Sequence, residues 1–194
     1  MTFEFATATR IVFGAGAISQ LGANVKNYGR RALVVTGRNP NRAEKLLASL
    51  AASNLTSATF SVAGEPEIST VETGVALAKR EHCDFVISLG GGSVIDAGKA
   101  IATMLTNDGG LLDYLEIIGK GKILLNLSAP FIAVPTTAGT GAEVTRNAVL
   151  ASPEHKVKVS LRSSLMLPTV AVIDPELTYD LPAALTASTG LDAL

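Results

Sequence analysis

The 194-residue sequence is short of several things, and each shortage excludes a class of protein. It has a single cysteine, Cys83, so no internal disulfide can form and a reducing compartment is implied. The neighbours of Cys83 predict a buried small hydrophobe rather than a reactive thiol. There is no block of basic residues, and the net charge is −1, which removes the electrostatic footprint of a nucleic-acid binder. No apolar stretch approaches the ~20 residues needed to span a bilayer. The opening Met1-Thr2-Phe3-Glu4-Phe5 lacks the basic region and long apolar run of a secretory leader. No internal repeat or low-complexity linker interrupts the chain. Together these absences predict a soluble, cytoplasmic protein with neither nucleic acid nor membrane as partner. What is present is the composition of a globular domain, 47% hydrophobic and 17% charged. A chain of this length can bury roughly 70% of its unfolded surface.

Short β-branched runs alternate with longer segments of helical period. Strands are expected at 10–13, 31–36, 59–62, 85–89, 131–134 and 170–173, and helices at 40–50, 68–80 and 93–105. Strand–helix–strand repetition with apolar strands means α/β: a Rossmann-like parallel sheet covered by helices on both faces. Residues 144–151 and 156–161 flank the turn-like Ser152-Pro153-Glu154-His155 and read as a β-hairpin appended to that sheet. Leu181-Pro182-Ala183-Ala184 opens a last helix, with proline at an early position and no closing Gly, Asn or basic residue before Leu194. A helix without a stop signal predicts that a longer parent protein continues it.

Two glycine-rich turns carry the chemistry. In Ser88-Leu89-Gly90-Gly91-Gly92-Ser93, a turn of small residues follows an apolar strand and opens a helix. The phosphate-loop pattern G-x-x-x-x-G-K-[ST] fails, because Ser93 stands where it needs glycine and Ala100 where it needs a hydroxyl. The dinucleotide fingerprint G-x-G-x-x-G fails as well, with Ile95 at the third glycine position. General physics remains: glycines let backbone N–H groups approach an anion, the helix N-terminus adds partial positive charge, and Ser93 can cap the helix or bond a phosphate oxygen. A tight strand-to-helix turn without ligand is the alternative. The second turn, Pro135-Thr136-Thr137-Ala138-Gly139-Thr140-Gly141, follows another strand, at the end of a parallel sheet where ligand crevices form.

These stretches carry a resemblance. Gly90-Gly91-Gly92-Ser93-x-x-Asp96-x-x-Lys99, then Pro135 to Gly141 with Glu143-Val144-Thr145, then Asp174-Pro175-Glu176-Leu177-Thr178 with Leu181-Pro182, then Thr189-Gly190-Leu191-Asp192-Ala193-Leu194, follow the order and spacing of the iron-containing alcohol dehydrogenases. Four motifs in register are specific where one alone would be weak. The resemblance covers essentially the whole chain and the first half of a typical member. It implies a Rossmann-like domain at 1–180 that holds NAD or NADP. It further implies that 181–194 begin an all-helical domain supplying most of a metal site, for Fe²⁺ or Zn²⁺ held by one Asp and three His. The metal polarises the substrate oxygen while hydride moves between the carbinol carbon and the nicotinamide.

Position by position, Gly91, Gly92 and Ser93 resemble the pyrophosphate contacts, and Thr136 and Thr137 the pair beside the adenine and its ribose. Thr145, Asn147 and Lys158 match hairpin positions lining the cofactor crevice. Leu177 and Leu181 match positions closing over the dinucleotide. Asp96 and Lys99 match the motif, and read equally as first-turn charge and a surface lysine. Where NAD-preferring members carry an aspartate after the strand at 31–36, this chain has Gly37 and then Arg38, which favours NADP(H) electrostatically. Asp192 matches the first metal ligand. His82 and His155, the only histidines, fall outside the ligand motifs. One ligand cannot make a site that needs three or four. The chain is therefore expected not to oxidise alcohol unaided, and no catalytic residue is assigned within it. The implied substrate is a small alcohol or aldehyde, the implied assembly a homo-oligomer. Maleylacetate reductases and glycerol dehydrogenases belong to the same superfamily. A stand-alone dinucleotide-binding module is the rival of a different class.

Overall fold

The computed structural model describes residues 1–194. Six strands form one parallel sheet: β1 (Arg10–Phe13), β2 (Arg31–Thr36), β3 (Thr56–Ser61), β4 (Phe85–Gly90), β5 (Phe131–Pro135) and β8 (Val170–Ile173). Their order across the sheet is β1-β8-β5-β4-β2-β3. The alternation of side chains in β2 explains why the sheet is covered twice. Leu33 and Val35 enter the core beneath α3 (Ile68–Arg80) and α4 (Gly92–Thr106), whereas Ala32 and Val34 enter the opposite core with Leu46 and Leu50 of α2 (Glu44–Ala52) and Leu21 of α1 (Leu21–Val25).

The expected strand at 59–62 lies at Thr56–Ser61, in register with β2 from Arg31 to Thr36. The expected helix at 40–50 is divided. Asn39 accepts from the Asn41 N–H at 3.2 Å and starts a 3-10 turn at Pro40–Ala43, after which α2 begins at Glu44. The hairpin, β6 (Asn147–Ser152) and β7 (Val157–Arg162), makes its own two-stranded antiparallel sheet rather than joining the main one. Its Ala148, Leu150, Val159 and Leu161 share a core with Ile95 and Ile101 of α4. Strand pairing starts at Asn147 and not Val144, because left-handed Gly141 (φ 62°) opens a 3-10 turn at Ala142–Val144.

Helix α4 is the centre of this assembly. The dinucleotide fingerprint lacks a glycine at 95, but Gly98, one turn later, performs the packing that such a glycine allows. A Cβ there would lie 1.9 Å from the Ser88 Oγ of β4, so only glycine permits this helix–strand approach. Cys83 is half-buried against the same core, less enclosed than expected, and burial pushes its thiol pKa up. The last helix, α5 (Ala183–Asp192), buries none of its residues. No helix is long and apolar enough to cross a membrane.

Candidate functional site

The sheet order places a topological switch beside Gly91. β3 lies on one side of β2 and β4 on the other, so the connections leaving β2 and β4 diverge at the carboxyl ends of neighbouring strands. β5 adds a third connection there, since Gly90 pairs with Pro135 and the Thr136 N–H donates to the Gly90 carbonyl at 3.0 Å. In open α/β sheets this is where a ligand crevice forms.

Helix α4 starts at this point, with Gly91 as its N-cap, and no side chain caps it. The expected capping by Ser93 does not occur. Ser93 is already inside the first turn, where its hydroxyl cannot fold back as an N-cap does, and it faces a cleft instead. The first N–H groups of the helix thus remain available, in a field favouring an anion. The Thr136–Gly141 turn closes over them. A Cβ on Gly91 would meet Thr137 at 3.5 Å, and one on Gly92 would meet Thr140 at 3.1 Å. Glycine keeps that gap open.

Two clefts open near the carboxyl end of β4, one of them lined by the first turn of α4. The first, about 310 Å³, brings Gly92 and Ser93 together with Thr145, Asn147 and Lys158. The Thr140 hydroxyl lines it too, a residue the sequence reading passed over, although its place in a turn of small hydroxyl residues is a signal of the same kind. Lys158 is paired with Glu65, from the connection after β3, at the mouth of this cleft. The second, about 240 Å³, lies over the carboxyl end of β4 and holds Thr136 and Leu177 beside Leu89, with Arg42 and Lys45 and the acidic residues Glu44, Asp174, Glu176 and Asp180 lining it too. Leu181 is half-buried and lines neither cleft. Gly37 stands at the end of β2, 3.9 Å from Val94 measured from its would-be Cβ. Arg38 is exposed and lines neither cleft.

The two charges of the Asp96-x-x-Lys99 motif are not on the surface. Lys99 is completely buried. Its ammonium group donates to the carbonyls of Ala142 (2.7 Å), Thr145 (2.8 Å) and Asn147 (2.9 Å), and reaches the Thr145 Oγ1 at 3.1 Å. Burial pushes its pKa down to about 8, against the pull of the Asp96 and Glu143 carboxylates. Asp96 is half-buried and accepts from the Val149 N–H at 3.1 Å, and burial raises its pKa. The surface-lysine reading fails because residues 142–149 lie over the face of α4 that carries Asp96 and Lys99.

The sequence model of the iron-containing alcohol dehydrogenases matches residues 8–175. The chain belongs to the iron-containing alcohol dehydrogenase family. It is 39% identical over 199 aligned residues to 1,3-propanediol dehydrogenase of Klebsiella pneumoniae, covering 99% of this chain and 50% of that protein. The crystal structure of a 1,3-propanediol oxidoreductase superposes with a TM-score of 0.92 at 38% identity, over 99% of this chain and 50% of the other. A sulfoacetaldehyde reductase from Bifidobacterium kashiwanohense, solved in complex with NAD+, gives 0.89 at 33% identity, over 99% and 51%. The chain thus spans about half the length of the curated relatives it matches. Its six-stranded parallel sheet is the Rossmann-like amino-terminal domain of the iron-containing alcohol dehydrogenase fold.

Asp192, the residue matched to a metal ligand, is exposed at the last position of α5. No group of three His, Cys, Asp or Glu side chains in this structure is arranged to hold a metal ion. The donor set present therefore does not fit Fe²⁺ or Zn²⁺.

Proposed function

We propose that this chain is the cofactor-binding half of an NAD(P)-dependent alcohol dehydrogenase. In this reading residues 1–180 form the dinucleotide-binding domain, and 181–194 begin the helical domain that completes the metal site. The observation carrying it is the uncapped N-terminus of α4, at the switch point of a parallel sheet, lining one cleft and with a second over the carboxyl end of β4. The pyrophosphate lies against Gly91, Gly92 and Ser93, where helix N–H groups and the Ser93 hydroxyl meet its negative oxygens. One half of the dinucleotide occupies the cleft of Thr145, Asn147 and Lys158. The adenosine half lies over Thr136, Thr137 and Leu177, with Leu181 closing over it from the start of the helical segment. When bound, the nicotinamide supplies the hydride acceptor or donor, and the substrate class is a small alcohol or aldehyde.

The donor set at Asp192 gives no metal site, so the chain alone binds cofactor without turning over alcohol. The protein acts in the cytoplasm as a homo-oligomer in this reading. Between the two cofactors, NADP(H) is favoured. Gly37 puts no carboxylate at the end of β2 to repel a 2′-phosphate, and Arg38 follows it, exposed and able to swing.

Titration of the 194-residue protein with NADPH and NADH tests both levels. Micromolar binding with NADPH the tighter is expected. Tighter NADH binding removes the cofactor preference and keeps the domain assignment, and binding of neither removes both. Arg38→Ala should lower the NADPH/NADH affinity ratio by about tenfold, the loss of one charge-assisted contact of roughly 1.4 kcal/mol. An unchanged ratio would show that Arg38 does not meet the phosphate.

A further inference from the structure

Lys99 and Asp96 are buried charges that the proposed reaction does not use, and both reach the same stretch of chain. They lie three residues apart on α4, hence on one face of the helix. Lys99 donates to the carbonyls at 142, 145 and 147, and Asp96 accepts from the N–H at 149. The base takes carbonyls and the acid takes an amide proton, so one backbone segment is gripped by its acceptors and its donor together. That segment carries Thr145 and Asn147, which form one wall of the 310 Å³ cleft, while the first turn of α4, with Gly92 and Ser93, forms the other.

We propose that Asp96 and Lys99 are positioning residues: a two-point clamp that fixes residues 142–149 to α4 and so sets the width of the cleft. The proposal rests on the reading of that cleft as the dinucleotide site. Three features support it. Lys99 forms no ion pair, and three backbone carbonyls together with the Thr145 hydroxyl take its charge. The segment from Ala142 to Thr145 precedes the paired part of β6 and has no strand partner, the last cross-strand bond being that of the Arg146 carbonyl with the Ser163 N–H at 3.1 Å. The other charges around the cleft, Glu65 and Lys158, are paired with each other and leave Asp96 and Lys99 to the backbone. Asp96 lines the cleft too, but a carboxylate there would repel a pyrophosphate at Ser93, and the partner it has is the Val149 N–H.

The clamp is tested on the 194-residue protein by amide hydrogen exchange together with NADH and NADPH titration. The variants are Asp96→Asn, which keeps an acceptor for the Val149 N–H, Asp96→Ala, which does not, and Lys99→Met. Asp96→Ala and Lys99→Met are expected to speed exchange across residues 142–151 by more than any global destabilisation speeds it in β2 or β3. They should also weaken dinucleotide binding by about tenfold or more. Asp96→Asn should stay within about twofold of the parent in both readouts. If Asp96→Asn behaves like Asp96→Ala, or binds markedly tighter than the parent, the carboxylate acts through its charge and the clamp is wrong. It is also wrong if exchange at 142–151 is unchanged in all variants. If exchange responds as described while the parent binds neither nucleotide, the clamp on 142–149 stands and the cofactor reading falls.

Discussion

Helices α4 and α5 have similar apolar content and opposite fates. α4 buries ten of its fifteen residues, including a lysine. α5 buries none of its ten, and leaves Leu185 and Leu191 in solvent. Residue type does not separate them; what stands around each does. α4 sits on β4 and β5 with the hairpin over its outer side, so it meets apolar side chains on several sides and even its charged residue finds oxygens. α5 follows the last strand of the sheet and has no comparable layer on it. Burial is a property of the assembly, and a helix's own sequence states only what it would tolerate.

Substitutions in the two helices can break or sharpen that contrast. The largest effect is expected at Lys99. Lys99→Met strips three buried carbonyls of their donor and should destabilise the fold by about 3 kcal/mol or more, read by urea unfolding at pH 7. The same residue gives a pH signature. Folded Lys99 loses its proton near pH 8, whereas the unfolded side chain keeps it to about 10.5. Between those values the unfolded state holds more protons, so stability contributed at this residue rises with pH across that window. The difference in unfolding free energy between parent and Lys99→Met should therefore widen from pH 8 to 10.5. A flat difference would mean that the ammonium is not desolvated.

Next comes Gly98→Ala, whose Cβ has no room beside Ser88 and should cost about 1–3 kcal/mol. The same change in the other helix, Gly190→Ala, meets nothing within 4 Å and should stabilise by about 0.5–1 kcal/mol through helix propensity. Opposite signs in thermal unfolding of these two alanine variants would express the contrast in one experiment. The smallest effect is expected at Leu191→Ser, within about 0.5 kcal/mol, since that side chain is already in water. A loss of 2 kcal/mol there would reveal a packing partner for α5.

Much of this fold is legible in the sequence because its signals are local. Apolar runs such as Arg31–Thr36 and Phe85–Gly90 give the strands, and the 3.6-residue period gives Ile68–Arg80 to the residue. The start of the hairpin is not legible, because it depends on a left-handed turn at Gly141 and on the grip of a distant lysine. Of the site, the glycine turns are visible in the chain, and their meeting is not: Gly92 faces Thr140 only because β4 and β5 are neighbours in the sheet. Lys99 reads as surface by residue type alone. It shares a helix face with Asp96, Thr103 and Thr106, which reads as a solvated stripe, and only the fold brings residues 142–149 over that stripe.

The place of β1 has a consequence for how the chain is made. β1 is the outermost strand, and its sole neighbour is β8. The turn after it is held by Asp174, whose carboxylate accepts from the N–H groups of Gly16 and Ile18, the first of these 158 positions away along the chain. At roughly 5–20 residues per second, the ribosome delivers that aspartate about 8–30 s after the glycine. Of the six strands of this sheet, the first to be made is therefore among the last that can be seated. Until then the nascent chain carries β1 with its ladder N–H and C=O groups unpaired, and this is the edge a chaperone would need to shield.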